Sequence, residues 1–288
     1  MTKKAIVKAK YENGVLVYKI KSTRYFTQEI FLISDAHFDA ISCDRDALKK
    51  DLDKAIERGA LIVIGGDWFD AMQGRFDPRR NMDELRPEYR RENYFDVVVT
   101  DTAEFLKPYS RNIIMVSPGN HELSVRKNSS TDLTDRLVYL LNHQGSPAVT
   151  GSWKGWIKFQ IDYSNIRQSI NLYYSHSGGD GKAPVTRGVI ATNRQAVYLP
   201  DADVVWNGHN HQAYIVPITR ERLNSNGVRY TDIGWFVRSP GYKREWNIDN
   251  SFAAVNGTGP APVGCVVLTL HAQRQLPFYV TAQLEITP

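Results

Sequence analysis

Residues 61–70 read Leu61-Ile62-Val63-Ile64-Gly65-Gly66-Asp67-Trp68-Phe69-Asp70, a short apolar run that ends in two glycines and an aspartate. An apolar run of four to eight residues bounded by turn residues is typical of a buried strand. Two carboxylates therefore follow the carboxyl end of a strand. Open α/β sheets usually bind their ligands at this edge.

Four more blocks place polar residues after an apolar run. They are Ser34-Asp35-Ala36-His37, Gly119-Asn120-His121-Glu122, Ser175-His176-Ser177 and Gly208-His209-Asn210-His211. Five of the seven histidines of the chain belong to these blocks. A lone histidine is more often a core or surface residue, but this repeated placement at strand ends indicates one shared site.

The order of the blocks, Asp-x-His, Gly-Asp-x-x-Asp, Gly-Asn-His-Glu, His and Gly-His-x-His, resembles that of the calcineurin-like metallophosphoesterase superfamily. The resemblance runs from Asp35 to His211. It implies an α/β fold, a four-layer αββα sandwich of two mixed sheets flanked by helices. It also implies hydrolysis of phosphate esters by a hydroxide held between two divalent metal ions.

The resemblance assigns seven side chains to the two metals. One metal takes Asp35, His37, Asp67 and His211, and the other takes Asp67, Asn120, His176 and His209, with Asp67 as the bridge. Imidazole, carboxylate and amide ligands suit Mn, Fe, Zn, Co or Ni more than Ca, and we expect Mn. The two-residue spacing in Asp35-x-His37 and His209-x-His211 puts each pair on one side of an extended segment.

His121 directly follows Asn120 and does not readily share its metal, so its imidazole is free to protonate the leaving oxygen. We expect it to act as the general acid. The resemblance implies that Asp70 orients His121, and a neighbouring carboxylate raises the proton affinity of a histidine. A turn or helix-start role for the Asp70 carboxylate is the alternative.

Protein phosphatases of the superfamily continue the second block with an arginine that grips phosphate, and here that residue is Ala71. The closing Gly-His-x-His block is closer to the phosphodiesterases and DNA-repair nucleases, whereas Glu122 also occurs in phosphomonoesterase branches. We therefore expect a phosphodiesterase or nuclease that acts on DNA, RNA or nucleotides. The alternatives are a phosphomonoesterase for nucleotides or phosphoproteins, and a metal-binding scaffold without activity.

An arginine-rich insertion covers residues 71–93, where basic and acidic residues are mixed. Its candidate phosphate contacts are Arg79, Arg80, Arg90 and Arg91, although a solvated helix face is an equally good interpretation. Lys182 and Arg187 are further candidates, beside a glycine-rich segment that can approach an anion or form a plain loop. Three aromatic residues beside the blocks are candidates for stacking on a nucleobase or for core packing: Phe38, Trp68 and Phe69.

Strand and helix patterns alternate in the first half of the chain, with helices expected over 46–58, 94–106 and 131–141, and predict a parallel sheet. The second half is mainly extended and predicts an antiparallel or mixed sheet. A β-hairpin over residues 4–20 is expected around Asn13-Gly14. A length of 288 residues is compatible with one domain, 1–288.

The composition is that of an ordinary globular protein, with 42% hydrophobic and 23% charged residues. A net charge of +5 favours anionic partners. Two cysteines, Cys43 and Cys265, provide neither a disulfide framework nor a thiolate metal site. No apolar segment suggests a signal peptide or a membrane span, so we expect a cytoplasmic protein without membrane contact. The sequence does not identify a protein partner.

Overall fold

The computed structural model describes residues 5–21, 26–71, 82–163, 166–177, 189–246, 248, 259–273 and 276–287. Within these residues the strands are β1 (Ala5–Glu12), β2 (Val15–Lys21), β3 (Phe26–Ile33), β4 (Leu61–Gly65), β5 (Ile113–Ser117), β6 (Val149–Thr150), β7 (Lys154–Tyr163), β8 (Ile166–Ser175), β9 (Val204–Asn207), β10 (Tyr214–Leu223), β11 (Arg229–Arg238), β12 (Val263–Gln273) and β13 (Leu276–Thr287). The α-helices are α1 (Arg45–Glu57), α2 (Tyr94–Leu106), α3 (Asn120–Ser129), α4 (Leu133–His143) and α5 (Val189–Tyr198).

One sheet has six strands in the order β13-β12-β3-β4-β5-β6. Its centre is parallel, because Ile30 pairs with Leu61 and Ile62 pairs with Ile113 in the same direction. Helices α1 and α2 supply the crossovers that parallel neighbours need. The carboxyl ends of β3, β4 and β5 therefore lie at one edge of this sheet.

The other sheet has seven strands in the order β1-β2-β7-β8-β9-β11-β10. Strands β8, β9 and β11 are parallel. Val204 of β9 pairs with Leu172 of β8 on one side and with Trp235 of β11 on the other. Antiparallel hairpins flank this parallel centre. The carboxyl ends of β8 and β9 thus share an edge as well.

The two sheets pack face to face between helical layers. Along β3, Ile30 and Leu32 point into the core between the sheets, while Phe31 and Ile33 pack under the helices. This alternation follows from the two-residue period of a strand. On the outer face of the seven-stranded sheet, α5 and the residues after it cover Tyr173, Val205 and Phe236. The structure confirms the predicted four-layer sandwich of two mixed sheets.

The amino-terminal hairpin also agrees with its prediction. Asn13 and Gly14 have φ values of 51° and 80°, the positive pair that a tight two-residue hairpin turn requires. Helix α3 has no counterpart among the predicted elements, because it buries the polar residues His121 and Glu122 next to Val125 and so lacks a clear apolar face. Helix α5 was not predicted either.

Candidate metal centre

Three of the sequence blocks follow the central strands of the six-stranded sheet. Asp35 comes after β3, Asp67 comes after β4, and Asn120 opens α3 just beyond β5. Main-chain hydrogen bonds join the first two loops, since Asp35 N donates to Gly66 O at 2.9 Å and His37 N donates to Asp67 O at 3.0 Å. Parallel register therefore brings these side chains to one edge.

The other two blocks arrive from the seven-stranded sheet. His176 follows β8, and His209 and His211 follow β9. The backbone N–H of His209 donates to both carboxylate oxygens of Asp35 at 3.0 Å. The two sheets thus meet at the site through a direct hydrogen bond between their strand-end loops.

The side chains form three clusters, in each of which the possible ligand atoms lie within 4.8 Å of one another. The clusters are Asp35, His37 and His211; Asp67, His176 and His209; and His37, Asp70 and His121. His176 Nε2 lies 2.9 Å from Asp67 Oδ2 and 3.2 Å from Asn120 Oδ1, so the amide joins the second cluster. The structure brings together all seven residues that the sequence assigns to metals.

Close backbone approach at the site requires glycine. A Cβ atom on Gly119 would lie 2.0 Å from Asp67 Oδ1, and a Cβ on Gly66 would lie 2.7 Å from His176 Nδ1. Such contacts are far below van der Waals distance, so any larger residue would displace the carboxylate or the imidazole. The glycines in the blocks therefore make room for the candidate ligands.

Five of the seven candidate ligands have a left-handed backbone. Their φ values are positive: Asp35 (54°), His37 (46°), Asp67 (48°), His209 (76°) and His211 (55°). Non-glycine residues rarely adopt this conformation, and it persists only where the surrounding structure enforces it. The side chains of Asp35-x-His37 and His209-x-His211 meet at the site, as their spacing predicts. The prediction that these residues have an extended backbone is wrong, because their φ values are positive.

The carboxylates at the centre are held in the ionised form. Burial raises the pKa of Asp35 and of Asp67, but the neighbouring histidines outweigh burial and leave both pKa values below the usual range. Burial lowers the pKa of His176, yet the charges of Asp67 and Asp35 outweigh this effect and raise the pKa to about 10. A divalent cation would compete with the proton on His176.

His37 is prepared in a different way. Burial, together with the charge of Lys243, lowers the pKa of His37 to about 4, so its imidazole is neutral near pH 7. Its Nδ1 lies 2.9 Å from Asp70 Oδ1, while the buried Nε2 has no hydrogen-bond partner among the described residues. A neutral imidazole with one nitrogen anchored and the other free fits a metal ligand. The nitrogen and oxygen donor set, without thiolate, fits a divalent transition metal.

His121 lies beside both carboxylates of the second block. Its Nε2 is 3.8 Å from Asp67 Oδ2, and its ring packs edge-on against His37 at 4.7 Å between centroids. Its Nδ1 contacts the main-chain oxygen of Asp70, whereas the Asp70 carboxylate is 3.8 Å away and bonds to His37 instead. Asp70 therefore meets His121 through its backbone, which differs from the expected carboxylate contact.

The roles of two further residues of the site, Glu122 and Asp39, were not predicted from the sequence. Glu122 accepts hydrogen bonds from the backbone N–H groups of Asp67, Phe69 and Gly119 at 2.7–3.1 Å. The signal was present, because a glutamate three residues after Gly119 is placed to cap a helix. The buried carboxylate of Asp39 accepts from the N–H groups of Asp70 and Ala71.

The contact that Lys243 makes with Asp70 was not predicted; from sequence, Lys243 was a candidate for a basic rim or plain surface charge. Its Nζ lies 3.4 Å from Asp70 Oδ1. Nothing in the sequence around this lysine connects it with residues so far away along the chain.

The candidate substrate contacts have mixed outcomes. Arg79, Arg80, Lys182 and Arg187 lie outside the described residues. Arg90 donates to the main-chain oxygens of Leu85 at 3.1 Å and of Asp83 at 3.5 Å, so its guanidinium is engaged within the insertion. Arg91 is exposed. The three aromatic candidates are buried in the core, which supports packing over stacking: Phe38, Trp68 and Phe69.

Comparison of the chain with protein families and with curated proteins gave one family match. A family model described as calcineurin-like phosphoesterase matches residues 29–213. No curated protein matches the chain. Among the residues that the structure describes, none of the helices has the length and apolar character that a membrane span requires.

Solved structures with a similar arrangement have low sequence identity. A protein of Streptococcus pneumoniae described as a predicted phosphoesterase is 10% identical, with a TM-score of 0.32 over 90% of this chain and 99% of that chain. A metallophosphoesterase from Sphaerobacter thermophilus is 14% identical, with a TM-score of 0.36 over 90% and 88%. Vps29 from Entamoeba histolytica, complexed with zinc, is 9% identical, with a TM-score of 0.35 over 90% and 99%.

Proposed function

The chain belongs to the calcineurin-like phosphoesterase family, and on that premise we propose that it is a two-metal phosphodiesterase acting on nucleic acid or nucleotides, built as a single domain. The observation that carries the proposal is a pair of neighbouring clusters, Asp35 with His37 and His211, and Asp67 with His176 and His209. The two clusters approach to 4.0 Å between His176 Nε2 and Asp35 Oδ1. The carboxylate of Asp67 faces His176 through Oδ2, while its Oδ1 accepts from the backbone N–H of His121 at 2.9 Å. Family and clusters together support binding of divalent metal.

The proposed ligand sets keep the residues of the sequence blocks. Asp35, His37, Asp67 and His211 would hold one cation, and Asp67, Asn120, His176 and His209 would hold the other. Manganese is our first choice, and iron, zinc, cobalt or nickel also suit these donors. When bound, two such cations neutralise the charge of a phosphate ester and supply an ionised water as nucleophile.

His121 is the proposed general acid. Burial lowers its pKa, but the charges of Asp67 and Asp70 outweigh burial and raise the pKa above the usual value. This direction of shift favours the protonated imidazole, the form that a general acid requires. The main-chain oxygen of Asp70 accepts from Nδ1, which directs Nε2 towards Asp67 and the space where a leaving oxygen would receive the proton.

The choice of a diester rests on the residue after the second block. Ala71 is buried and carries no charge, where the protein phosphatases that the blocks resemble have an arginine that grips phosphate. A diester has one negative charge fewer than a monoester and needs less cationic grip. The phosphomonoesterase alternative remains because Glu122 stands in the third block.

Paired nitrophenyl substrates test this choice. Protein freed of metal and reloaded with Mn²⁺ should hydrolyse bis-p-nitrophenyl phosphate faster than p-nitrophenyl phosphate, and chelation should stop both reactions. A preference for the monoester would favour the phosphomonoesterase. Absence of metal-dependent turnover with either compound would favour a silent scaffold. Turnover profiles across DNA, RNA, cyclic dinucleotides and mononucleotides would then define the substrate.

A role for the arginine-rich insertion in polynucleotide binding can be tested by salt dependence. If Arg79, Arg80 and Arg91 contact phosphates of a single strand, each replacement by glutamine should reduce the slope of log affinity against log salt by about 0.7. Arg167 provides the control, because it is exposed and lies at the end of β8 that is away from His176. Equal slopes in all variants would remove the insertion from the binding surface and favour smaller substrates.

A further inference from the structure

We propose that Lys243 is a positioning residue for the metal site of Asp35, His37 and His211, and that it acts through Asp70. This inference rests on the metal binding proposed above. Lys243 lies in the segment after β11, and its side chain is only 7% exposed. Its Nζ is 3.4 Å from Asp70 Oδ1 and also pairs with the Glu245 carboxylate.

The same carboxylate oxygen serves both the lysine and a candidate ligand. Asp70 Oδ1 lies 2.9 Å from His37 Nδ1. An ionised carboxylate only accepts, so Nδ1 of His37 carries the hydrogen and Nε2 keeps its lone pair. This nitrogen is the buried atom without a partner among the described residues. The orientation of Asp70 therefore determines which nitrogen His37 offers to a metal.

Asp70 needs a cation to stay where it is. Its carboxylate is buried, and the buried carboxylate of Asp39 holds its backbone from the other side at 2.6 Å. A buried carboxylate is costly unless a positive group compensates it, and the charge of Asp39 adds to this cost because it repels that of Asp70. Within the part of the chain that the structure describes, Lys243 is the lysine or arginine that pairs with Asp70.

The third cluster of possible ligands supports the same role. His37, Asp70 and His121 have metal-like spacing, yet the ammonium of Lys243 already lies beside this group. A further divalent cation there would be repelled by the lysine. We therefore assign this cluster to positioning, in which Lys243 supplies the positive charge that a metal supplies in the other two.

Backbone contacts fix the lysine on the loop that it serves. Tyr242 N donates to Asp35 O at 2.9 Å, Asp44 N donates to Tyr242 O at 2.7 Å, and Arg244 N donates to Ser42 O at 2.8 Å. The segment around Lys243 thus lies across the loop that begins with Asp35 and His37. A lysine on such a support holds its partner in one place, unlike a lysine on an exposed helix.

Metal affinity of the whole chain tests the inference. Metal-free protein is titrated with Co²⁺ against a competing chelator, and thermal melting confirms that each variant is folded. Lys243→Met should weaken one of the two sites by about tenfold to hundredfold, the usual effect of losing an outer-shell contact. Lys243→Arg keeps the charge and should weaken it less. Lys54→Met is the matched control, because Lys54 also bridges two carboxylates, Asp51 and Glu285, away from the site.

A double-mutant cycle identifies the route of the effect. Asp70→Asn should weaken the same site by a similar factor, and adding Lys243→Met to it should cause no further loss. This comparison remains valid if Lys243→Met alone does not fold, because Asp70→Asn removes the uncompensated charge. Unchanged affinity in folded Lys243→Met, or a further loss in the double variant, would refute the role of Lys243. A wild-type protein that binds no divalent metal would refute the proposed function as well.

Discussion

The two sheets contribute different chemistry to the site. The six-stranded sheet supplies both carboxylates, the amide and one imidazole, namely Asp35, Asp67, Asn120 and His37, and the two carboxylates are almost fully buried. The seven-stranded sheet supplies three imidazoles, and His209 among them is exposed. The negative charge that attracts cations therefore lies at the end of the parallel centre of one sheet, while the other sheet supplies the exposed imidazole of His209.

This difference suggests separate roles in metal binding for the buried carboxylates and for the exposed imidazole. A buried carboxylate cannot be replaced without changing the charge of the whole centre, whereas an exposed imidazole is neutral and has water as a ready substitute. Changes on the six-stranded side should thus have the larger effects. A variant of Asp67 compared with one of His209 tests that order directly.

The largest effect is expected for Asp67→Asn, which retains size but removes the shared negative charge. Metal content should fall sharply, and metal-dependent turnover should drop by about 10³-fold or more, because several kcal/mol of charge stabilisation are lost. Metal analysis and steady-state rates measure both. The partner variant on the other sheet, His209→Asn, should lose less in each measurement. Two tightly bound metals in Asp67→Asn would contradict its bridging role.

His121→Ala should reduce the rate without emptying the site. Since His121 is not counted among the ligands, both metals should remain, and turnover of esters with poor leaving groups should fall by about 10² to 10⁴-fold. The loss should be smaller for nitrophenolate, which leaves without a proton. A series of esters of graded leaving-group pKa gives the comparison, and a uniform loss across the series would remove His121 from the acid role.

Glu122→Gln tests whether the Glu122 carboxylate stabilises the loops that follow β4 and β5. Three backbone N–H groups donate to the two Glu122 oxygens, and glutamine offers one acceptor oxygen in their place. We expect a loss of unfolding free energy of about 1–3 kcal/mol, the usual penalty for a buried donor left unpaired. Chemical denaturation of the metal-free protein measures it. A fully stable Glu122→Gln would mean that the loops hold their shape without this carboxylate.

The smallest effect is expected at the contact that ties the segment after β11 to α1. Asp44 caps α1 by accepting from Ala47 N at 2.9 Å and also pairs with Arg244. Asp44→Ala should reduce the unfolding free energy by about 1 kcal/mol. These donors outweigh partial burial and lower the pKa of Asp44. Its contribution is therefore present above about pH 4 and is lost as the pH falls through the lowered pKa.

The measurement for Asp44→Ala is a pair of denaturation curves at neutral and acidic pH. Wild type and variant should differ near pH 7 and converge in acid, because the carboxyl is then protonated in both the folded and unfolded wild-type chain. A difference that persists at low pH would show that the side chain stabilises the helix through packing rather than charge.

The meeting point of the candidate ligands could be predicted from the sequence, because each ligand follows an apolar run of strand type. The ligands follow apolar strands whose register is set by parallel pairing, so the edge at which they meet was predictable from the blocks alone. Prediction from the sequence failed where the contact depends on chain segments far apart, as with Lys243 and Asp70. The backbone conformation of the ligands could not be predicted either. Asp35 and His211 have positive φ values, which the surrounding structure enforces and which their residue types do not indicate.

The direct bond between the loops of the two sheets, from His209 N to the Asp35 carboxylate, joins residues 174 positions apart. A contact of such long sequence separation requires a long loop to close, and the folded state must offset the entropy that this closure costs. A cation at this seam would recognise only the finished fold and would stabilise it by mass action, about 2.7 kcal/mol at a concentration one hundred times its Kd. A supply of such a cation would then raise the fraction of folded chain, and its removal would lower it.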